Sequence, residues 1–231
     1  MNSYPSSPTQ LGVRPAAALS AQFLTQAFAW MFAGLLLSAG VAFLVQGSES
    51  LIATIAGFWL LLLIGQVALA FAIGLLINRI SATAALGLFF VYAASMGATI
   101  GVIVSLYTTS SVATAFLSAA AMFGGAAIYG ATTKRSLASV GGYLTMALIG
   151  LIVASVVNIF LGSDTIGWVI SLVGVGLFTV ITAYDVQRIQ NGEIAAATGS
   201  LEKASVIGAL HLYLDFVNLF LFMLRLFGNR N

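Results

Sequence analysis

The chain has 231 residues, 61% of them hydrophobic and 6% charged, with a mean hydropathy of +1.09, whereas a soluble domain carries roughly 25% charged residues. Eight Lys plus Arg against six Asp plus Glu leave a formal charge of +2, too slight for the basic surface of a nucleic-acid-binding protein. The absence of Cys and the single His exclude a disulfide framework, a thiol nucleophile and a multi-histidine metal centre, and no cofactor is expected.

Taken in order, residues 1–19 open with a polar, Ser- and Pro-rich stretch, Met1 to Pro15, that lacks the basic region and apolar core of a cleavable signal. They are expected to form a disordered tail ahead of one transmembrane domain, 20–231. Breaking the apolar sequence at its polar clusters gives seven predicted spans, 20–46, 51–78, 82–106, 112–133, 139–162, 166–189 and 204–227. Runs of around twenty residues fit helices, since a membrane barrel shows ten-residue alternating segments. The fold class is therefore an all-α integral membrane protein, a seven-transmembrane-helix bundle.

Charge alternates between the connections. Arg14, Arg79, Lys134 with Arg135, and Arg188 with Lys203 fall at one end of the spans, while Glu49 and Asp164 fall at the other. By the positive-inside rule the N-terminus is cytoplasmic. A full seventh span then carries Arg225 and Arg230 to the outer side, where a re-entrant segment would not; the length of 204–227 favours the full span. Small residues four apart, at Gly97 and Gly101, Ala121 and Gly125, and Ala126 and Gly130, predict close helix packing within the molecule.

Two apolar spans each hold a carboxylate, Asp185 in the sixth and Asp215 in the seventh, and an ionisable side chain at that depth costs several kcal/mol unless paired or wetted. His211, Asp215 and Asn218 recur at spacings of four and three and share one stripe of the seventh helix; Thr182, Asp185 and Arg188 repeat every three residues on the sixth. If the stripes face each other, the carboxylates cannot both stay ionised cheaply and are expected to share a proton, which makes a pH sensor. Arg79 at the end of the second span is a candidate partner through charge-assisted hydrogen bonds. Plainer readings stand beside these: Asp as a helix-to-helix staple, Arg79 as a membrane-edge anchor, His211 as a packing residue. Tyr184 and Tyr213 are either hydrogen-bond partners of the carboxylates or interface aromatics.

The segments from Ala183 to Ile189, from Ala209 to Phe220 and from Leu224 to Gly228 resemble the Bax inhibitor family, also called transmembrane Bax inhibitor motif proteins, in its bacterial branch. The likeness runs from about residue 20 to the end. It implies seven helices with the C-terminal one central, and a location in a bacterial inner membrane. It also implies a pH-dependent calcium leak in which Asp185 and Asp215 form a proton-sharing latch that exchanges partners with Arg79. The expected function is thus a pH-sensitive cation leak channel, not an enzyme, with Asp185 and Asp215 touching the metal ion weakly and transiently. Its expected partners are membrane lipid, protons and calcium or another cation. Two other classes compete with this one. An intramembrane aspartyl protease fits Tyr184-Asp185, but Tyr213-Leu214 stand where presenilin-like enzymes carry a Gly-x-Gly before the second Asp. A regulatory protein that binds other membrane proteins, such as membrane proteases, would use the N-terminal tail or the loop from Gln190 to Lys203.

Overall fold

A computed structural model describes residues 17–229, with side chains from Gln22 onward. Its helices are α1 (Ala17–Gln46), α2 (Glu49–Gly57), α3 (Trp59–Leu76), α4 (Ala82–Val104), α5 (Thr109–Thr132), α6 (Gly141–Leu161, entered through a 3-10 turn at Ala138–Val140), α7 (Asp164–Gln190), α8 (Glu193–Thr198) and α9 (Leu201–Phe227). Seven of them, all but α2 and α8, are long and apolar enough to cross a membrane. The expected boundary at residue 20 falls just inside α1, and the rest of the expected tail lies outside the described residues.

The starts of these helices are written in the sequence. Ser48, Ser81, Thr108, Ser163 and Ser200 are N-caps whose hydroxyls accept the backbone N–H three residues on, satisfying donors that have no partner within the helix. The second predicted span is the exception, because it divides into α2 and α3 at Phe58, whose backbone lies at φ −108°, ψ 17°. Gly57 weakens the helix there, and the apolar run Ala56 to Leu60 continues across the break, so hydropathy alone joins the two pieces. The loop from Gln190 to Lys203 also holds an unexpected helix, α8, framed by the left-handed Gly192 and Gly199.

α9 is the axis of the bundle. Buried residues make up 72% of its most apolar stretch against 11% in α3 and in α6, and it packs on α1, α5 and α7 with lighter contact to α3, α4 and α8. α6 reaches the bundle mainly through α7 and α3 mainly through α4. α9 runs unbroken for 27 residues, about 40 Å at 1.5 Å per residue, with no re-entrant turn. At its far end the Arg225 guanidinium lies against Gly167 in the first turn of α7.

Small residues set the crossings, though not at every predicted pair. A Cβ on Gly97 would stand 2.8 Å from the Cα of Ser38, one on Gly101 2.7 Å from the Cβ of Val45, and one on Gly130 2.9 Å from the Cα of Ala183. These positions seat α4 on α1 and α5 on α7. Ala121 and Gly125 behave otherwise: both are exposed, and a Cβ on Gly125 would meet no atom within 4 Å. Spacing of four residues recurs on every face of a helix, and only burial chooses which face is used.

Candidate functional site

No Asp, Glu, Lys, Arg or His occurs in α1, α3, α4, α5 or α6. The charged groups at membrane depth therefore belong to α7 and α9, which pack against each other in antiparallel fashion. The short α8 connection returns the chain, so the last turns of α7 face the first half of α9.

Asp185 is 7% exposed. Its Oδ1 accepts from Arg188 Nη1 at 3.4 Å, and its Oδ2 lies 3.5 Å from His211 Nδ1. The second contact lacks hydrogen-bond geometry, leaving that ring nitrogen buried without a hydrogen-bond partner among the described residues. Arg188 is shared: its Nε donates to Glu193 Oε2 on α8 at 3.3 Å, and its Cζ stands 5.2 Å from the centre of the Tyr184 ring. Good charge-assisted bonds run near 2.7–2.9 Å, so at 3.4 and 3.5 Å Asp185 is held loosely.

Asp215 sits one turn beyond His211 on the same stripe and is 3% exposed. Asp185 and Thr182 lie within its electrostatic reach, but the Thr182 hydroxyl gives its proton to the Phe178 carbonyl at 2.7 Å. The Oδ2 of Asp215 has no hydrogen-bond partner among the described residues. A buried carboxylate left in that condition is expensive and calls for a proton, a cation or water.

The other candidate residues are placed differently. Asn218 Nδ2 donates to Leu214 O of its own helix at 2.8 Å. Tyr213 turns to the opposite side of α9, where its hydroxyl lies 2.7 Å from Ser38 Oγ, and that serine oxygen lies 2.7 Å from the Ala93 carbonyl; it staples α9 to α1 and α4. The Tyr184 hydroxyl packs against Gly141 at the start of α6. Arg79 is exposed in the α3–α4 turn, and its side chain is in none of the hydrogen bonds or ion pairs found among the described residues, so the cation beside Asp185 in this structure is Arg188.

Gln187 is a residue that sequence reasoning passes over. It is 8% exposed, its Oε1 accepts from Leu137 N at 2.7 Å, and its Nε2 donates to Arg135 O at 2.9 Å. A neutral amide near the end of an apolar span gives no signal beyond its polarity. Among the described residues no group of three or more His, Cys, Asp or Glu could hold a metal ion.

A central apolar helix inside a ring of others, with the intramembrane charge confined to one helix pair, defines an integral membrane protein of the helical-bundle class. The chain belongs to the Bax inhibitor family: the family model described as Inhibitor of apoptosis-promoting Bax1 matches residues 20–231. It is 43% identical over 224 residues to the inner membrane protein YbhL of Escherichia coli strain K12, covering 94% of this chain and 95% of that one. An uncharacterized protein of Deinococcus radiodurans is 40% identical over 210 residues, 90% of this chain and 91% of its own length. Another, from Borreliella burgdorferi, is 39% identical over 215 residues, 90% and 92% of the two chains.

Proposed function

We propose that the protein is a pH-sensitive cation leak channel, calcium being its principal ion, and that protonation at Asp185 and Asp215 gates it. The observation that carries this reading is Asp215: a buried carboxylate on the central helix, with an unpartnered oxygen and within electrostatic reach of Asp185. With one proton between them the two acids can join α7 to α9. Without it, two like charges repel in a buried site where water screens them poorly, which disfavours the arrangement that holds the two acids together.

The family resemblance supplies calcium and the participation of Arg79, which would take Asp185 over from Arg188 in the alternate state. Two carboxylates are few for an ion that prefers six to eight oxygens, and weak binding suits passage because the ion must leave as readily as it enters. On this reading the protein catalyses no reaction. It lies in a bacterial inner membrane with its N-terminus and the Arg79, Lys134 and Arg188 end in the cytoplasm, as the positive-inside rule requires. Purified protein in calcium-loaded liposomes is expected to leak at a rate that changes with pH, and Asp185→Asn or Asp215→Asn is expected to flatten that change. No leak, or a pH response untouched by both substitutions, would refute the proposal.

A further inference from the structure

A cavity of about 350 Å³ lies between α3 and α4, helices that carry neither Asp185 nor Asp215. Phe58 at the α2–α3 break and Leu61, Leu62 and Leu69 of α3 give it apolar walls. Phe58 and Leu61 are themselves exposed, so in a membrane-spanning bundle the mouth opens to the bilayer. The volume falls near the lower end of the roughly 300–1,000 Å³ of small-molecule pockets.

Two lining residues are polar, Gln66 and Ser95, and hydrogen bonding leaves each with an acceptor to offer. Gln66 is 4% exposed, and its Nε2 donates to Thr99 Oγ1 on α4 at 2.8 Å. Thr99 gives its own proton to the Ser95 carbonyl at 3.5 Å, so its oxygen must accept, and the amide oxygen of Gln66 is the end left over. No hydrogen bond among the described residues uses that Oε1, and it is not one of the atoms sealed off by their neighbours, so it opens to the cavity that the residue lines. Ser95 Oγ donates to the Tyr92 carbonyl at 2.7 Å, which spends its proton and leaves its lone pairs.

Neither α3 nor α4 contains a charged residue, so an ion finds no counter-charge here. A hydroxyl group, which donates, finds an acceptor that is costly to leave unpaired in a buried position. An apolar body finds the leucine and phenylalanine walls. Water satisfies the acceptor but not the rest of the cavity, since a stable buried water needs two to four polar partners. We infer that the cavity is a binding site for a lipid-soluble alcohol, entered from the bilayer, with the hydroxyl donating to Gln66 Oε1 and the hydrocarbon part lying against Phe58, Leu62 and Leu69. The site is independent of the channel reading, because it uses none of the gate residues.

Photolabelling of the full-length protein in phosphatidylcholine vesicles tests this with two reagents of one chain length, an octanol and an octane that each carry a diazirine. Labelled residues are located by mass spectrometry, and each reagent is normalised to its labelling of the lipid-facing side of α6. The octanol reagent is expected to label the segment 58–69 about fivefold more than the octane reagent, the worth of one net hydrogen bond, and unlabelled 1-octanol should compete this excess away. Gln66→Leu should abolish the excess while leaving the octane label in place, which shows that the cavity persists. Gln66→Met, closer in length to the native side chain, takes its place if the leucine variant does not fold. Equal labelling by the two reagents would overturn the inference and reduce the cavity to a groove for acyl chains. So would an excess that survives loss of the Gln66 amide, or the absence of both labels, the mark of a cleft holding only water. Loss of both labels together in both variants would make Gln66 a wall of the cavity and not its hydrogen-bond acceptor, and would equally count against it.

Discussion

Replacing Gly130 by Ala puts a methyl group into the close crossing of α5 on α7, and its effect follows from the geometry. The new Cβ would stand 2.9 Å from both the Cα and the carbonyl carbon of Ala183, and closer still to its oxygen. All three are backbone atoms, so no rotamer change relieves the contact, and α5 must move off α7 by roughly half an ångström or more to restore ordinary van der Waals separation. Overpacking of this kind costs about 1–3 kcal/mol, against which Ala recovers up to about 1 kcal/mol of helix propensity over Gly. A net loss of about 1–2 kcal/mol is expected. Gly125→Ala on the same helix is the control, since nothing lies within 4 Å of its Cβ position and only the propensity gain applies. Equilibrium unfolding in mixed SDS micelles, followed by circular dichroism, measures both. If Gly130→Ala proves as stable as Gly125→Ala, the α5–α7 crossing is not a rigid contact and cannot brace the Asp185 turn.

Tyr213→Phe removes one buried hydroxyl bond to Ser38 and should cost about 1 kcal/mol in the same assay. Ser38→Ala, which strands the tyrosine hydroxyl among Phe89, Tyr92 and the α1 backbone, should cost more, and a double-mutant cycle with a coupling near zero would show that the staple does not form. Arg79→Gln should leave stability within about 0.5 kcal/mol of the parent, because that side chain is exposed in the α3–α4 turn. Its test is the pH response of the liposome leak, which should change if Arg79 takes Asp185 in the alternate state; an unaltered response removes Arg79 from the gate.

Much of this architecture can be read from residue order because bilayer and backbone impose it: long apolar runs become helices, and Ser or Thr just ahead of them become caps. The break at Phe58 escapes such reading because its neighbours are as apolar as the helices they separate. At the site, position on the helix is informative and choice of partner is not. Tyr213 lies two residues from Asp215, about 200° around α9, so a stripe that turns Asp215 toward α7 must turn the tyrosine away, and it is found on Ser38. Arg188 is equally visible three residues after Asp185, the spacing at which side chains on a helix meet, yet the family resemblance points to the distant Arg79 as the latch. On the proposed channel reading the difference is one of state: a local pair forms whenever the helix forms, whereas a contact between turns of different helices would need the bundle to adopt one arrangement out of two. On the proposed reading an exchange of Asp185 onto Arg79 is a contact of the second kind, which neither spacing nor a single conformation displays.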